Sequence, residues 1–488
     1  MFILAAFFHV EFDKSKKKSA EIFEDMDPLF IGTDDLQEKP FQWTMRRVSG
    51  FLSKWKWAFV SCLAFYCLVI YWPAHDLITE SDSKLIPKKF RLPKVRINQP
   101  ESLKEPEALQ QESSGFKFES AEGKSFFVEK ILTDSTISLA ERLQCRADKN
   151  ARPRVILSWN AGHDQSNLGG CPDWNCELTL DRSKFKEAGA ILVAYEDPYV
   201  AEHRRPDQYV IHFSQESPVN SHFKIPYVNF FNMSLGFRHD TPAASPYGYF
   251  VKLAQESRNK DKVIDMAVVE GKSKGAAWFV SHCGTNSRRE NFVKALQQDF
   301  PVDIYGACGT LKCPRGGACE NMLDKEYHFY VAFENSICKD YITEKLWNQG
   351  YLRDIVPLVL KRSVVESFVP PKSFIAADDF NSSKDLAAYL HYLMGNKTAY
   401  AEYFAWRRDY KVVFLNGKYH DSMERPWGFC QVCRLLWEKP RPHFVIEDFG
   451  QWWVQSCEKD GSLVSRLTSS IDDSPNIPLR NAAVQKLF

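Results

Sequence analysis

The chain lacks the usual signatures for holding a dinucleotide or a catalytic zinc. No GxGxxG run occurs, so the glycine turn that lets a backbone approach a pyrophosphate is excluded. Gly271-Lys272-Ser273 ends like a phosphate loop, but Met266 stands where that loop needs its first glycine. HExxH and paired CxxC zinc patterns are missing. Cys430-Gln431-Val432-Cys433 is a lone CxxC, open to a redox or zinc role, with structural disulfides favoured if the chain is luminal. Charge of one sign is also lacking: 63 Lys and Arg face 62 Asp and Glu, for a net +1. No strong field therefore draws the protein to nucleic acid. Thirteen cysteines spread over 488 residues do not make a small disulfide scaffold. Met1 to Val10 is apolar, but it is too short to span a bilayer and no basic segment precedes it, which argues against a signal peptide.

A hydrophobic share of 44% is ample for a globular core, and 488 residues predict two or three units. Trp57 to Trp72 carries no charge and has Trp55, Trp57, Tyr71 and Trp72 at its ends. It reads as a membrane span over 56–74. Arg46, Arg47, Lys54 and Lys56 precede it, whereas His75, Asp76 and Glu80 follow. Positive-inside logic puts a tail, 1–55, in the cytosol. The proline-punctuated segment 75–125 reads as an extended stem.

The rest is organised around Phe329 to Leu360. Tyr327 to Phe333 reads as a buried strand. Asp340 is a good N-cap for a helix over Tyr341 to Gln349, with Gly350 at C′. Ile355 to Leu360 gives the next strand, so the unit is βαβ in a parallel sheet. Ligands bind such sheets at the carboxyl ends of strands, beside helix N-termini. Glu334, Asn335, Tyr341, Glu344 and Lys345 fall at that rim, and a helix N-terminus with Lys345 suits a diphosphate. From spacing alone, Glu344 and Lys345 read as readily as solvated helix charges.

Val155 to Trp159, Ile191 to Tyr195 and Tyr209 to Phe213 predict strands of a first α/β unit. Ala276 to Val280 and Val302 to Tyr305 join the two strands above in a second. Arg289 to Gln298, Lys384 to Met394 and Thr398 to Arg408 read as its helices. Glu216 follows the third strand and precedes Pro218, which forces the chain out of the sheet. It stands at a cleft rim or is an ordinary loop glutamate. Asp378-Asp379 reads as a turn or cap rather than a metal site. Asn232, Asn381 and Asn396 open N-glycosylation sequons.

FENSICKDYITEKLW followed by IVPLVL resembles the signature of the α1,3-fucosyltransferases that use GDP-fucose (glycosyltransferase family 10). The likeness continues through FSQESP, FRHDTPAASPYGYF, WFVSHC and ERPWGFCQVC, and covers about Arg154 to Glu438. WNAGHDQSNLGGCPDWNC is similar to the invertebrate branch that fucosylates the innermost GlcNAc of N-glycans. The resemblance implies an α/β, GT-B-like fold of two Rossmann-like domains facing across a cleft. The acceptor side falls over 126–258, the GDP-fucose side over 259–440, and a C-terminal extension over 441–488.

It also implies roles. Glu216 matches the catalytic base. Arg289 matches the arginine on the β-phosphate, with Arg288 the neighbouring alternative. Asn335 and Tyr341 match residues near the diphosphate, Glu344 a ribose contact and Lys345 a further donor contact. Inverting transfer needs one base on the acceptor hydroxyl and positive charge on the departing diphosphate. It needs no second close carboxylate as nucleophile. GDP-fucose enters as donor substrate, no cofactor is resident, no residue is assigned to a metal, and Mn2+ or Mg2+ stimulates members of the family. The acceptors are N-glycans of secretory glycoproteins, and the setting is the Golgi membrane in single-pass type II orientation with a luminal catalytic portion. Outer-arm (Lewis-type) transfer and an inactive luminal glycan-binding protein are the alternatives; Glu216, Arg289 and Lys345 are all present, which argues against the latter. By the same resemblance Cys283 pairs with Cys338, and Cys171 and Cys176 pair with Cys430 and Cys433. A local Cys430–Cys433 bridge competes, and Cys308, Cys313 and Cys319 stay unassigned.

Overall fold

A computed structural model of the chain describes residues 115–119, 123–195, 197–221, 228–314 and 316–469, all within one compact unit. The expected tail (1–55), membrane span (56–74) and most of the stem lie outside the described residues. Among the described residues no helix is long and apolar enough to cross a membrane.

Strands β1 (Phe116–Glu119) and β2 (Ser125–Ile131) open an antiparallel sheet that the sequence reading did not foresee. The expected stem therefore ends too late. Alternate apolar side chains, Phe118, Phe126 and Val128, are buried and carry this segment into the core.

Next come β3 (Arg154–Ser158), β4 (Cys176–Thr179), β5 (Ala190–Val193), β6 (Tyr209–Ser214) and β7 (Met233–Gly236). They form a parallel five-stranded sheet in the order β4-β3-β5-β6-β7. Its strands are apolar on both faces, as a covered parallel sheet requires. Ile156, Leu192 and Ile211 meet the helix Gly428–Trp437. Val155, Leu157, Ile191 and Val210 meet Phe449, Trp452 and Trp453 of the helix Phe449–Val454. Both covering helices come from far down the chain, so 428–437 does not stay with the second sheet, as boundaries at 259–440 implied. Nor is 441–469 an appendage.

Strand β8 (Gly248–Leu253) returns to the antiparallel sheet. Then β9 (Lys274–Phe279), β10 (Val302–Tyr305), β11 (Tyr327–Val331), β12 (Val356–Val359) and β13 (Ile375–Ala376) build a second parallel sheet, ordered β10-β9-β11-β12-β13. One face packs on the helices Arg289–Leu296, Ser383–Gly395 and Ser462–Thr468. The other packs on Phe250, Trp347, Tyr351 and Trp406. Strand β14 (Tyr410–Phe414) closes the four-stranded sheet β1-β2-β8-β14. The helix expected over Thr398 to Arg408 is split between α-helix Lys397–Ala401 and 3-10 helix Glu402–Arg408.

The cysteines pair as Cys171–Cys430, Cys176–Cys433, Cys283–Cys308, Cys313–Cys319 and Cys338–Cys457. The expected Cys283–Cys338 bond is not formed. Cys283 leaves the end of β9 beside the end of its neighbour β10, where Cys308 lies. Cys338 is buried under the C-terminal segment, in a two-residue antiparallel bridge with Cys457. The two long-range bridges, rather than a Cys430–Cys433 bond, fasten the helix Gly428–Trp437 to the first sheet. Asn232 is also corrected. It is 5% exposed; its Oδ1 accepts the Val210 N–H at 2.7 Å and its Nδ2 donates to the Phe444 carbonyl at 2.9 Å. An amide spent in this way is no glycan acceptor in the folded protein. Asn381 is exposed and Asn396 half-buried.

Candidate active site

The carboxyl ends of the two parallel sheets meet at the loops after β6 and β11. After β6, Ser214 Oγ accepts the Glu216 N–H at 3.2 Å and donates to the Glu216 carbonyl at 2.9 Å, a tight turn that projects the side chain. The Tyr247 hydroxyl holds the Gln215 carbonyl at 2.7 Å. Glu216 Oε1 then accepts three hydrogen bonds: from the Tyr341 hydroxyl at 2.6 Å, the Ser217 N–H at 2.8 Å and Asn335 Nδ2 at 3.2 Å. Beside it, the Ser336 and Ser217 hydroxyls lie 2.6 Å apart. One carboxylate of the first sheet is thus held by two side chains of the second.

Burial works to raise the Glu216 carboxyl. Hydrogen bonds from Tyr341, the Ser217 backbone, Asn335 and Asn220 outweigh it and hold the group below the ordinary glutamate value. Tyr341 is its counterpart. Burial, then the charges of Glu334 and Glu216, push the phenol far above its ordinary value, so at neutral pH it donates a proton in this bond and keeps it.

The stretch carrying Tyr341 differs from the expected helix. The helix starts at Lys345, not Tyr341, and it is a π-helix, Lys345–Tyr351. Asp340 does not cap it. Asp340 takes a positive φ of 61°, and its Oδ2 accepts the His239 N–H at 2.9 Å, tying this loop to the first sheet. Glu344 stands at the N-cap position and makes no side-chain capping bond; Glu334 instead holds the approach to the helix, its Oε1 accepting the Thr343 N–H at 2.7 Å. Gly350 sits inside the helix rather than beyond it, and a Cβ there would come within 3.1 Å of Pro357. π-Turns of this kind cluster at functional sites.

Lys345 Nζ donates to Thr343 Oγ1 at 2.7 Å, Glu334 Oε2 at 3.0 Å and Glu344 Oε1 at 3.4 Å. Burial works against the ammonium, but Glu334 and Glu344 outweigh it and hold its pKa above the ordinary lysine value. The charge is present, committed to carboxylates. Arg289 is 2% exposed. Its Nη1 donates to the Phe333 carbonyl at 2.7 Å, Nη2 to the His282 carbonyl at 2.9 Å, and Nε to Glu290 at 3.4 Å. It braces the ends of β9 and β11 together and has further N–H groups, since a guanidinium carries about five. Arg288, at a positive φ of 53°, pairs instead with Asp460 at 2.8 Å.

The structure therefore brings Glu216, Asn335 and Tyr341 into one hydrogen-bonded group and places Lys345 and Glu344 in a second group around Glu334. Arg289 lies at the neighbouring strand ends. Sequence reasoning put Glu334 at the rim but gave it no role, and it missed Ser217 and Ser336. Each serine stands next to a residue that was singled out, yet no local spacing announces a contact between positions 119 apart. Among the described residues no group of three or more His, Cys, Asp or Glu is placed to hold a metal ion.

Two parallel α/β sheets whose carboxyl ends converge on a carboxylate, with cations on the opposing rim, have a GT-B-like form, with the ligand-binding end of each sheet facing the same group. The glycosyltransferase family 10 (fucosyltransferase) C-terminal model matches residues 269–452, and the fucosyltransferase N-terminal model matches residues 151–248. The α1,3-fucosyltransferase fut-1 of Caenorhabditis elegans is 51% identical over 440 residues, covering 87% of this chain and 99% of that one. Glycoprotein 3-α-L-fucosyltransferase A of Drosophila melanogaster is 35% identical over 308 residues, covering 60% and 58%. A crystal structure of an α1,3-fucosyltransferase with GDP-fucose aligns over 59% of this chain and 90% of its own at 18% identity and a TM-score of 0.39. The chain belongs to glycosyltransferase family 10, the fucosyltransferases. As an enzyme it is an α1,3-fucosyltransferase.

Proposed function

We propose that the cleft moves L-fucose from GDP-β-L-fucose, with inversion, onto the 3-hydroxyl of the innermost, Asn-linked GlcNAc of N-glycans. The observation that carries this reading is the Glu216 carboxylate, held where the two sheets meet by Tyr341 and Asn335 of the opposite sheet. In the reading, Glu216 takes the proton of the acceptor hydroxyl as that oxygen attacks the anomeric carbon and the bond to the diphosphate breaks. Arg289 and Lys345 face the charge that develops on the diphosphate, and Asn335, Tyr341 and Glu344 line the donor. The lowered pKa of Glu216 keeps the base ionised at neutral pH. Its hydrogen bonds also make it a weak base, so proton transfer falls late, when the attacking oxygen has become acidic.

The core acceptor is supported by the WNAGHDQSNLGGCPDWNC segment and by a relative whose name specifies glycoprotein as acceptor. We place the chain in the Golgi membrane as a single-pass type II protein with 56–74 as anchor, on the uncharged run and its basic N-terminal flank.

The test is transfer by Glu216→Gln. The rate falls by roughly 10²–10⁴-fold, the usual contribution of a general base, while GDP affinity stays near wild type. Near-normal transfer by the folded variant removes Glu216 from the mechanism. Wild-type enzyme offered core and outer-arm acceptors in parallel decides the acceptor, because linkage analysis distinguishes the two products.

A further inference from the structure

The carboxyl rim of the first sheet carries an aromatic side chain that the fold holds in place and leaves uncovered. Tyr195 lies two residues past the end of β5 and is 60% exposed. Among the described residues its ring stacks on no other. The rings of the flanking segments are engaged with one another: Trp159 stacks on Tyr199 with centroids 5.3 Å apart, and Tyr199 stacks on His203 at 4.2 Å.

The Tyr195 backbone is pinned from both sides by one residue of the loop after β3. Asn160 Nδ2 donates to the Tyr195 carbonyl at 2.7 Å, and Asn160 Oδ1 accepts the Ala194 N–H at 2.7 Å. A side-chain amide that spends its acceptor on the peptide unit before Ala194 and its donor on the one after Tyr195 fixes where the Tyr195 side chain emerges.

That position is beside the carboxylate. Strands β5 and β6 are parallel neighbours with Val193 opposite His212, so Tyr195 comes level with Ser214, just before Glu216. Parallel neighbours lie about 4.8 Å apart, so the loops that carry Tyr195 and Glu216 leave the sheet side by side, within reach of one sugar. Both side chains are exposed at one rim, the end of a parallel sheet where ligands bind.

We propose that Tyr195 is the platform on which the acceptor sugar lays its apolar face while presenting a hydroxyl to Glu216. A pyranose has C–H groups on one face and hydroxyls at its edge. The face suits an aromatic ring, whose body is apolar, and the phenol at the ring's tip stays in water. A ring pinned by its backbone loses little freedom on binding, which favours it as a contact surface. The proposal deepens the acceptor side of the reading above and rests on it.

The test uses the full chain, GDP-fucose and an N-glycopeptide acceptor that the wild type fucosylates. In Tyr195→Ala the acceptor KM rises roughly tenfold, equivalent to about 1.4 kcal/mol, while the KM for GDP-fucose stays at the wild-type value. Tyr195→Phe, which keeps the ring, brings the acceptor KM back. An unchanged acceptor KM in Tyr195→Ala overturns the platform. So does a rise as large in Tyr195→Phe as in Tyr195→Ala, which would assign the effect to the hydroxyl. Glu216→Gln run alongside separates the two ideas. Lost transfer there with a wild-type acceptor KM in Tyr195→Ala keeps the base and sinks the platform, and the reverse pair of results keeps the platform and sinks the base.

Discussion

At the scale of single residues the site is a balance between burial and hydrogen bonding. Glu216 is pulled toward neutrality by burial and kept ionised by its donors, of which the Tyr341 phenol is the largest. The sign of the pH effect follows. A carboxylate held below its ordinary value stays charged to lower pH, so the acidic limb of kcat/KM lies below the ordinary glutamate range. Tyr341→Phe removes the strongest opposing donor, leaving burial less opposed, and the limb moves to higher pH. A pH profile of kcat/KM for the two enzymes reads this directly; coincident acidic limbs would mean that Tyr341 does not tune the base. Family resemblance reached Glu216 and Tyr341 in two separate motifs of the sequence. Their contact at 2.6 Å is a product of two sheets meeting, and no pattern within either segment encodes it.

At the scale of elements, the π-helix Lys345–Tyr351 decides where Lys345 stands. Its buried side is Leu346, Trp347 and Tyr351, and Trp347 lies over β8. Gly248 makes that approach possible, because a Cβ there would sit 2.7 Å from the Trp347 ring and 2.8 Å from the Val413 carbonyl. Gly248→Ala overpacks this contact and costs roughly 1–3 kcal/mol. Denaturant titration measures the loss, and GDP affinity falls with it because Trp347 and Lys345 share the helix. A variant with wild-type midpoint and GDP affinity would show that the helix position does not depend on this contact. The sequence foretold a helix here but placed it four residues early. Asp340 has the chemistry of an N-cap, yet it is used across the sheets on His239, and Glu334 holds the Thr343 N–H just ahead of a helix that has no side-chain cap. Capping propensity is local, and a tertiary hydrogen bond overrode it.

At the scale of the whole molecule, Cys171–Cys430 and Cys176–Cys433 span 259 and 257 residues and tie the same two segments together. Either bond alone closes the long loop. Once one is made, the other closes only the short stretches 171–176 and 430–433, where little chain entropy remains to be removed. Replacing both cysteines of one bridge by serine therefore costs only a small part of what removing both bridges costs, roughly 2–5 kcal/mol. Urea midpoints of the two double variants and the quadruple variant check this. Equal, additive losses would mean that each bridge acts through local contacts instead.

What the sequence determined by itself was whatever short-range pattern encodes. Apolar runs bounded by turn residues located most strands of both parallel sheets, and the stretch FENSICKDYITEKLW, by its resemblance to the α1,3-fucosyltransferases, pointed to the reaction class and to four of the candidate site residues. Strands Phe116–Glu119, Cys176–Thr179 and Met233–Gly236 escaped, since charged, polar or glycine residues interrupt each of these short runs. Tertiary structure alone decided the rest. It sent Cys283 to Cys308 and Cys338 to Cys457 because parallel neighbours put their ends together while the C-terminal segment folds back over Cys338. It buried Asn232 between Val210 and Phe444, and it laid two C-terminal helices on the first sheet. The reason is common to all of these: each joins residues far apart in the chain, and their proximity follows from burying both faces of two sheets rather than from any sequence near them.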